Sequence, residues 1–332
     1  MAKDFVFLRI VQMNGVDLNL FRFNYDLTWM AFFIDTDARI YSRYGGRDET
    51  SAESRLSRDG LLWTMKEVLR LHKETPADKA APPKPVTPSR PEDLPRLATR
   101  KECIHCHQVG EAIFDVQNRK RTFQKGNVYS FPLPENIGVK LDLVEGNLIK
   151  EVLTGSPAAK ASIKMGDRLR SANETRVLSA ADLQHALDEI AADNKLTLTV
   201  ERDGKPLKLA LDLPDAWRRH DVSWRRSVNF LFNILGQTNV GFFGEALAEK
   251  DKTKLNIPAD GLAYRIRFIM NGSPAGKAGL KPDDVIVEID GKRMLPYYSQ
   301  LRAYFPLEHN KGDEVGVTFL RNGKEMKATI QY

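Results

Sequence analysis

One stretch near the middle of the chain is written twice. Gly155-Ser156-Pro157-Ala158-Ala159-Lys160-Ala161 returns as Gly272-Ser273-Pro274-Ala275-Gly276-Lys277-Ala278. Both copies continue in register, Ile163-Lys164 against Leu280-Lys281 and Asp167-Arg168-Leu169 against Asp284-Val285-Ile286. Farther on, Arg202-Asp203-Gly204-Lys205 answers Arg321-Asn322-Gly323-Lys324, and each tetrapeptide stands between two alternating apolar runs, the pattern of a β-hairpin turn. A long repeat fixes the domain count before any secondary structure is read. The chain therefore holds two copies of a module of about 90 residues. Each runs strand, Ser-Pro-Ala helical turn, strand, helix (Ala180 to Ile190; Tyr298 to Phe305), closing hairpin.

These residues resemble the PDZ domains of bacterial HtrA-like serine proteases, in which a Gly-Ser-Pro-Ala-x-x-Ala-Gly-Leu-x-x-Gly-Asp-x-Ile stretch is characteristic. The second copy, Gly272 to Gly291, keeps close to that pattern; the first departs from it with Ser162 and with Asn173-Glu174. The resemblance covers about half of the chain. It implies that a loop of type apolar-Gly-apolar receives a peptide C-terminus through backbone N–H groups while the peptide adds a strand beside the long helix. By position the matching loops are Ile137-Gly138-Val139 and Val240-Gly241-Phe242. Glycine suits such a place because consecutive amides must approach an anion closely. An ordinary strand-entry glycine in a module that only packs on its neighbours would read the same.

Ahead of the repeats, Pro76, Pro82, Pro83, Pro85, Pro88, Pro91 and Pro95 crowd the segment from Thr75 to Leu97, a composition that predicts a stiff, extended linker. Before it, Phe5 to Val11 alternates like a buried strand, and Trp29 to Asp35 and Ile40 to Tyr44 flank the turn Thr36-Asp37. Leu56, Leu61, Leu62, Met65, Val68, Leu69 and Leu71 fall at helical spacing with Ser57 as a cap. Strand, hairpin and helix in that order, with Tyr44-Gly45-Gly46 before the helix, resemble the second half of a thioredoxin-like fold. The strand and the helix that carry the redox cysteines of that family are not found, and Thr28 stands where its cis-proline is expected. Met1 is then expected to lie inside an ancestral domain. A sheet with one covering helix needs another partner, so self-association or a module folded back across the linker is expected.

Only two cysteines occur, and they fall in Cys103-Ile104-His105-Cys106-His107. This is the attachment signature of haem c: two thiols form thioethers to the vinyls and the adjacent His107 is the proximal iron ligand. No methionine lies between Lys101 and Lys140, so a distal ligand would come from His72, His185, His220, His309 or a distant methionine. Two other readings stay open. A dithiol with His105 between the cysteines at a helix start would suit a thiol–disulfide oxidoreductase, and Cys103, Cys106 and His107 would give zinc three of the four ligands a closed site needs. A short helix from Cys103 to Phe114 would present the ring. Haem c is attached outside the cytoplasm, which predicts a periplasmic or other extracytoplasmic location, although no signal peptide is legible at Met1-Ala2-Lys3-Asp4.

The remaining features narrow the class. The 332 residues are 42% hydrophobic and 28% charged, with no apolar run long enough to span a bilayer. A net charge of +6 suits an acidic partner without implying nucleic acid. Trp217-Arg218-Arg219 and Trp224-Arg225-Arg226 read as an inter-domain segment with packed rings and solvated guanidinium heads, and Val228, Leu231 and Leu235 extend one apolar helical face. No Gly-x-Ser-x-Gly nucleophile turn occurs, and Ser273 belongs to the repeat, so no serine protease is legible in these residues.

The expectation is an α+β multidomain protein: partial thioredoxin-like domain 1–75, linker 76–97, C-x-x-C-H segment 98–130, PDZ domains 131–213 and 237–332, and an inter-domain segment 214–236. Its expected role is to bind protein C-termini or extended peptides and to carry haem c for electron transfer or redox sensing, without catalysis of its own.

Overall fold

The computed structural model describes residues 2–74, 87–191, 193–234, 240–295 and 297–332. The chain divides into two compact units, Met1–Val116 with Tyr129–His220, and Gln117–Val128 with Asp221–Tyr332.

The first unit begins with a departure from the sequence reading, for Phe5 to Val11 joins no ladder among the described residues. Val6, Phe7 and Leu8 are 100%, 70% and 87% exposed, and only Phe5 packs inward, its ring 5.9 Å from that of Phe33. A strand needs a neighbour for its backbone groups. Among the described residues β1 (Met30–Ile34) pairs with β2 (Ile40–Gly45) alone. The hairpin turns at Asp35, whose Oδ1 accepts from the N–H groups of Asp37 and Arg39.

Helix α1 (Arg58–Glu74) starts where expected, the Ser57 hydroxyl accepting from Gly60 N, and it buries Met65, Val68 and Leu71 against Phe33 and Tyr44. Pro76, Pro82, Pro83 and Pro85 lie outside the described residues. The later part of the linker is not extended: Pro91–Asp93 forms a 3-10 turn, Leu97 is 1% exposed, and Leu18 N donates to Ser89 O. The cause is legible afterwards, since Leu94 and Leu97 give this stretch apolar surface to bury with Met13, Leu18 and Phe23.

Helix α2 (Cys106–Arg119) starts three residues later than expected. Ile104 is fully buried with its carbonyl accepting from Met13 N, and His105 N donates to the Gln108 side chain, which ties down the chain ahead of the helix.

The first module follows: β3 (Val139–Leu141), β4 (Ile149–Val152), α3 (Pro157–Lys160), β5 (Arg168–Ala172), β6 (Thr175–Arg176), α4 (Ala180–Asp188), β7 (Lys195–Arg202) and β8 (Lys205–Asp212). β3 and β4 form one antiparallel pair, and the rest form a sheet of order β6-β5-β7-β8. Leu196, Leu198 and Val200 alternate inward from β7 onto Leu183 and Leu187 of α4, the two-residue and helical periods meeting in one core.

The second unit contains α5 (Arg226–Ile234), β9 (Phe242–Ala246), α6 (Glu249–Lys254), β10 (Tyr264–Ile269), α7 (Pro274–Lys277), β11 (Val285–Ile289), α8 (Tyr304–Glu308), β12 (Glu314–Arg321) and β13 (Lys324–Gln331). Its strands make one antiparallel sheet of order β13-β12-β11-β10-β9.

The helix expected at Tyr298 begins later, as a 3-10 turn at Leu301–Ala303 and then α8. A helix from Tyr298 that ran on to the observed end at Glu308 would place Pro306 in its interior, without a donor and against a preceding carbonyl; starting at Tyr304 puts Pro306 in the first turn. Upstream, Asp221 Oδ2 accepts from Ser299 N and Ser223 Oγ from Gln300 N at 2.9 Å, holding the approach in a non-helical form.

Candidate functional site

Each module builds its glycine loop against its own Ser-Pro-Ala turn. Gly138 has φ +90° and Gly241 φ +84°, and a Cβ on either would overlap the side chain of Ser156 or Ser273. Those serines cap the short helices, accepting from Ala159 N at 3.1 Å and Gly276 N at 3.2 Å. The loop glycine and the repeated serine are therefore one packing unit, which explains why both copies have them.

The loop side chains face inward: Ile137 and Val139 belong to the first core, Val240 and Phe242 to the second. What these loops offer a ligand is backbone. At the first loop, Gly138 N donates to Glu135 O, closing the 3-10 turn Pro134–Ile137. At the second, Gly241 O accepts from Met270 N, and β9 leaves the loop directly as the outer strand of its sheet. Phe243 of β9 and Phe268 of β10 lie side by side on an exposed face, 6.3 Å between ring centres.

The elements around the first loop have further partners within their unit. β2 lies along α4: Arg43 N and Ser42 Oγ donate to the Asp182 carboxylate at 2.8 and 2.7 Å, and Ser179 Oγ donates to Arg43 O. Asp182 is 1% exposed. Burial pushes its carboxyl above the usual range, while Arg43 and the hydrogen bonds pull the other way. The neighbouring His185 ring is pushed down to about 4 by burial and by the Arg43 and Arg22 charges. Arg55 forks onto Glu135 with two 3.0 Å bonds while its Nε holds Asp48.

One matched pair of ion pairs was not singled out from the sequence. Arg202 clamps Asp167 through two 2.7 Å bonds, and Arg321 clamps Asp284 through two of 2.8 Å. Both aspartates are 1% exposed and also accept from Lys164 N or Lys281 N. Burial works against the Asp167 charge, but Arg202 and the Lys164 amide hold its carboxyl below the usual carboxylate range. The signal was present, since both partners stand in register in the two copies.

At the C-x-x-C-H segment Cys103 is exposed and Cys106, half-buried, opens α2; both are free thiols. Burial pushes the Cys106 thiol up, the opposite of what a reactive thiolate requires. His107 Nδ1 is bonded to the Glu111 carboxylate at 2.9 Å, one helical turn on, and the ring stacked parallel to it is that of His105, 6.1 Å away. His72 is held by the Tyr41 hydroxyl, His220 by Arg218 O, and His309 by Asp290. Among the described residues no group of three or more His, Cys, Asp or Glu is arranged to hold a metal ion.

The tryptophan segments are packed, though not all their arginines are solvated. Trp217 is 6% exposed with Nε1 donating to Asn194, and Arg218 stacks on it. Arg225, expected in solvent, is 2% exposed and donates to Val128 O. The expected apolar face of α5 includes Leu231 and Leu235; Leu235 and the side chain of Leu231 lie outside what is described.

Comparison with known proteins assigns the modules. The PDZ domain family matches residues 135–213 and again 252–331, so the chain carries two PDZ domains. The second match begins after Val240, Gly241, Phe242 and β9, which the structure joins to that domain through β10.

A probable periplasmic serine endoprotease DegP-like of Pseudomonas savastanoi pv. phaseolicola is 30% identical over 204 residues, 60% of this chain and 40% of that protein. The periplasmic pH-dependent serine endoprotease DegQ of Escherichia coli (strain K12) is 30% identical over 46% of this chain and 30% of its own. DegP of the same strain is 31% identical over 45% of this chain and 27% of its own. The chain thus spans less than half the length of these relatives. Among the described residues no helix is long and apolar enough to cross a membrane.

Proposed function

We propose that this protein binds extended polypeptide chain ends through its second PDZ domain, in an extracytoplasmic compartment. The observation that carries the reading is the place of β9: it runs out of the Val240-Gly241-Phe242 loop, and among the described residues only β10 pairs with it. An outer strand beside a glycine loop, with α8 in the same domain, is the arrangement on which a peptide adds a strand and sets its carboxylate. The compartment follows from the relatives, which are named periplasmic. Their protease activity is not carried over with the modules.

The test is a library of C-terminal peptides titrated onto the full chain. A micromolar Kd, about −8 kcal/mol, is expected, and amidating the peptide terminus should abolish binding. Equal binding of free and amidated peptides would refute carboxylate recognition.

A second reading rests on the Glu111–His107 bond. A carboxylate on Nδ1 orients an imidazole and leaves Nε2 for a metal. With two free thiols at the required spacing, the residues fit haem c: Cys103 and Cys106 would hold the macrocycle and His107 the iron. The group would supply one-electron chemistry. The burial that raises the Cys106 thiol disfavours the rival thiol–disulfide oxidoreductase. A pyridine haemochrome spectrum, after expression in a host that matures cytochromes c, is the measurement; no haem on Cys103 and Cys106 would remove this reading. For residues 1–75, the order hairpin then helix is all that supports the thioredoxin-like likeness.

A further inference from the structure

We infer that the peptide groove of the first PDZ domain is covered from within: the chain's own N-terminal hairpin and helix roof it, so that this domain is an intramolecular dock and not a receptor for other chains. The inference rests on reading the PDZ domains as peptide binders and goes beyond that reading, because it divides the two domains by role.

A peptide entering the first domain would lie between β3 and α4 and run up to the Ile137-Gly138-Val139 loop. All three boundaries of that space are engaged by residues of the N-terminal region. At the loop end, Arg55 holds Glu135 with its guanidinium fork at 3.0 Å on both oxygens. At the strand side, the start of α1 presses on the chain just beyond β3. Gly60 is buried so close to Leu143 O that a Cβ would overlap it.

On the helix side, β2 meets the first turn of α4 through Ser42, Arg43, Ser179 and Asp182, and Arg22 reaches Asp188 at the other end at 2.8 Å. Leu178, just before α4, belongs to the same apolar cluster as Phe33, Tyr44, Met65, Val68 and Leu71. The N-terminal sheet thus completes its own core with a residue of the PDZ domain. Among the described residues no strand is added to β3, which pairs with β4. The cover works by bridging the walls of the groove.

Several links make the contact hard to displace. The Asp182 carboxyl is met by Ser42 Oγ, Arg43 N, Leu178 N and Ser179 Oγ, so withdrawing β2 would take away two of its four hydrogen bonds at a buried site. A free peptide must break these bonds before it can make its own.

The experiment is hydrogen exchange on the full chain, with and without C-terminal peptides. It uses wild type and a release variant, Arg55→Glu with Gly60→Val, altered only on the N-terminal side. In wild type, peptide should slow exchange at Phe242–Ala246 and leave Val139–Leu141 and Ala180–Asp188 unchanged. In the variant, those two segments of the first domain should become protected, at a peptide concentration at least tenfold below any that affects them in wild type.

Slow exchange in β7 and β8 of the variant shows that the domain remains folded; where it does not, Arg55→Ala alone is expected to give a smaller gain. Protection of Val139–Leu141 in wild type at the variant's concentration overturns the inference and leaves peptide binding intact. So does protection in the second domain with no gain in a folded variant. Protection in the variant's first domain alone supports the inference and refutes the proposal for β9. No protection anywhere overturns both.

Discussion

The two PDZ domains are the same object at the level of their repeat and different objects at the level of their grooves. In both, a glycine with positive φ packs on the serine that caps the Ser-Pro-Ala turn, and in both a buried aspartate is clamped by the arginine of the closing hairpin. Even their sheets differ little. Two residue pairs join β10 to β11, where a single bridge, Leu148 to Arg168, links the corresponding parts of the first domain.

The divergence begins outside the repeated residues. Glu135, Leu143, Ser179 and Asp182 are engaged by the N-terminal region, while in the second sheet β9 is an outer strand. Repetition constrains how a module holds itself together; what it holds on to is set by residues that the repeat does not contain.

The comparison breaks most visibly if the glycine loops are not equivalent. Gly138→Ala and Gly241→Ala each impose a Cβ on a positive φ and on a serine side chain, strain and overpacking that together should cost about 4 kcal/mol. Native-state hydrogen exchange of β7–β8 and of β12–β13 reads each domain separately; a loss in one and none in the other would show that the loops are built differently.

Next in size are the clamps. Removing Asp167 or Asp284 takes away the carboxylate shared by the hairpin arginine and the Lys164 or Lys281 amide, and each →Ala change should lower the stability of its own domain. Equal losses would make the clamp a property of the module; unequal ones would attach it to local packing.

The third test sharpens the difference, because only the first domain has a histidine in its helix beside Arg43. His185 titrates at about 4 in the fold and near 6.5 when unfolded. Above pH 6.5 both states are neutral, and between 6.5 and 4 only the unfolded state takes the proton, so stability falls as the pH is lowered through that window. After allowing for its partial exposure the loss is about 2 kcal/mol. It should appear in β7–β8 and vanish in His185→Gln. A loss of that size in β12–β13, or one that survives the substitution, would assign it to other groups.

What the sequence displayed and what it concealed divide along the same line. Modules, hairpin turns and the start of α1 follow from periodicity and caps within a few residues of one another. Local chemistry set them, as it set the place of Pro306 in the first turn of α8. The cover on the first groove joins Ser42 and Arg43 to Asp182, and Arg55 to Glu135, across separations of 140, 139 and 80 residues. No pattern in either segment names the other. The run from Phe5 to Val11 looked like a strand because it alternates, yet a strand is made by its neighbour.

The smallest effect concerns the caps. Ser156 accepts from Ala159 N, and Ser273 accepts from Gly276 N while its hydroxyl also points at Gly241 O, 3.4 Å away. Losing an N-cap of this kind costs about 1 kcal/mol. Here the lost side chain is also the surface on which the loop glycine packs, so Ser156→Ala and Ser273→Ala should each destabilise their domain by about that amount. Because alanine keeps the Cβ that Gly138 and Gly241 rest against, neither change should move the loop, and peptide affinity at the second domain should stay within twofold in Ser273→Ala. If instead that variant lost affinity more than tenfold at unchanged stability, the hydroxyl would be taking part in carboxylate recognition, and the serine would belong to the groove in the second domain and to the fold alone in the first.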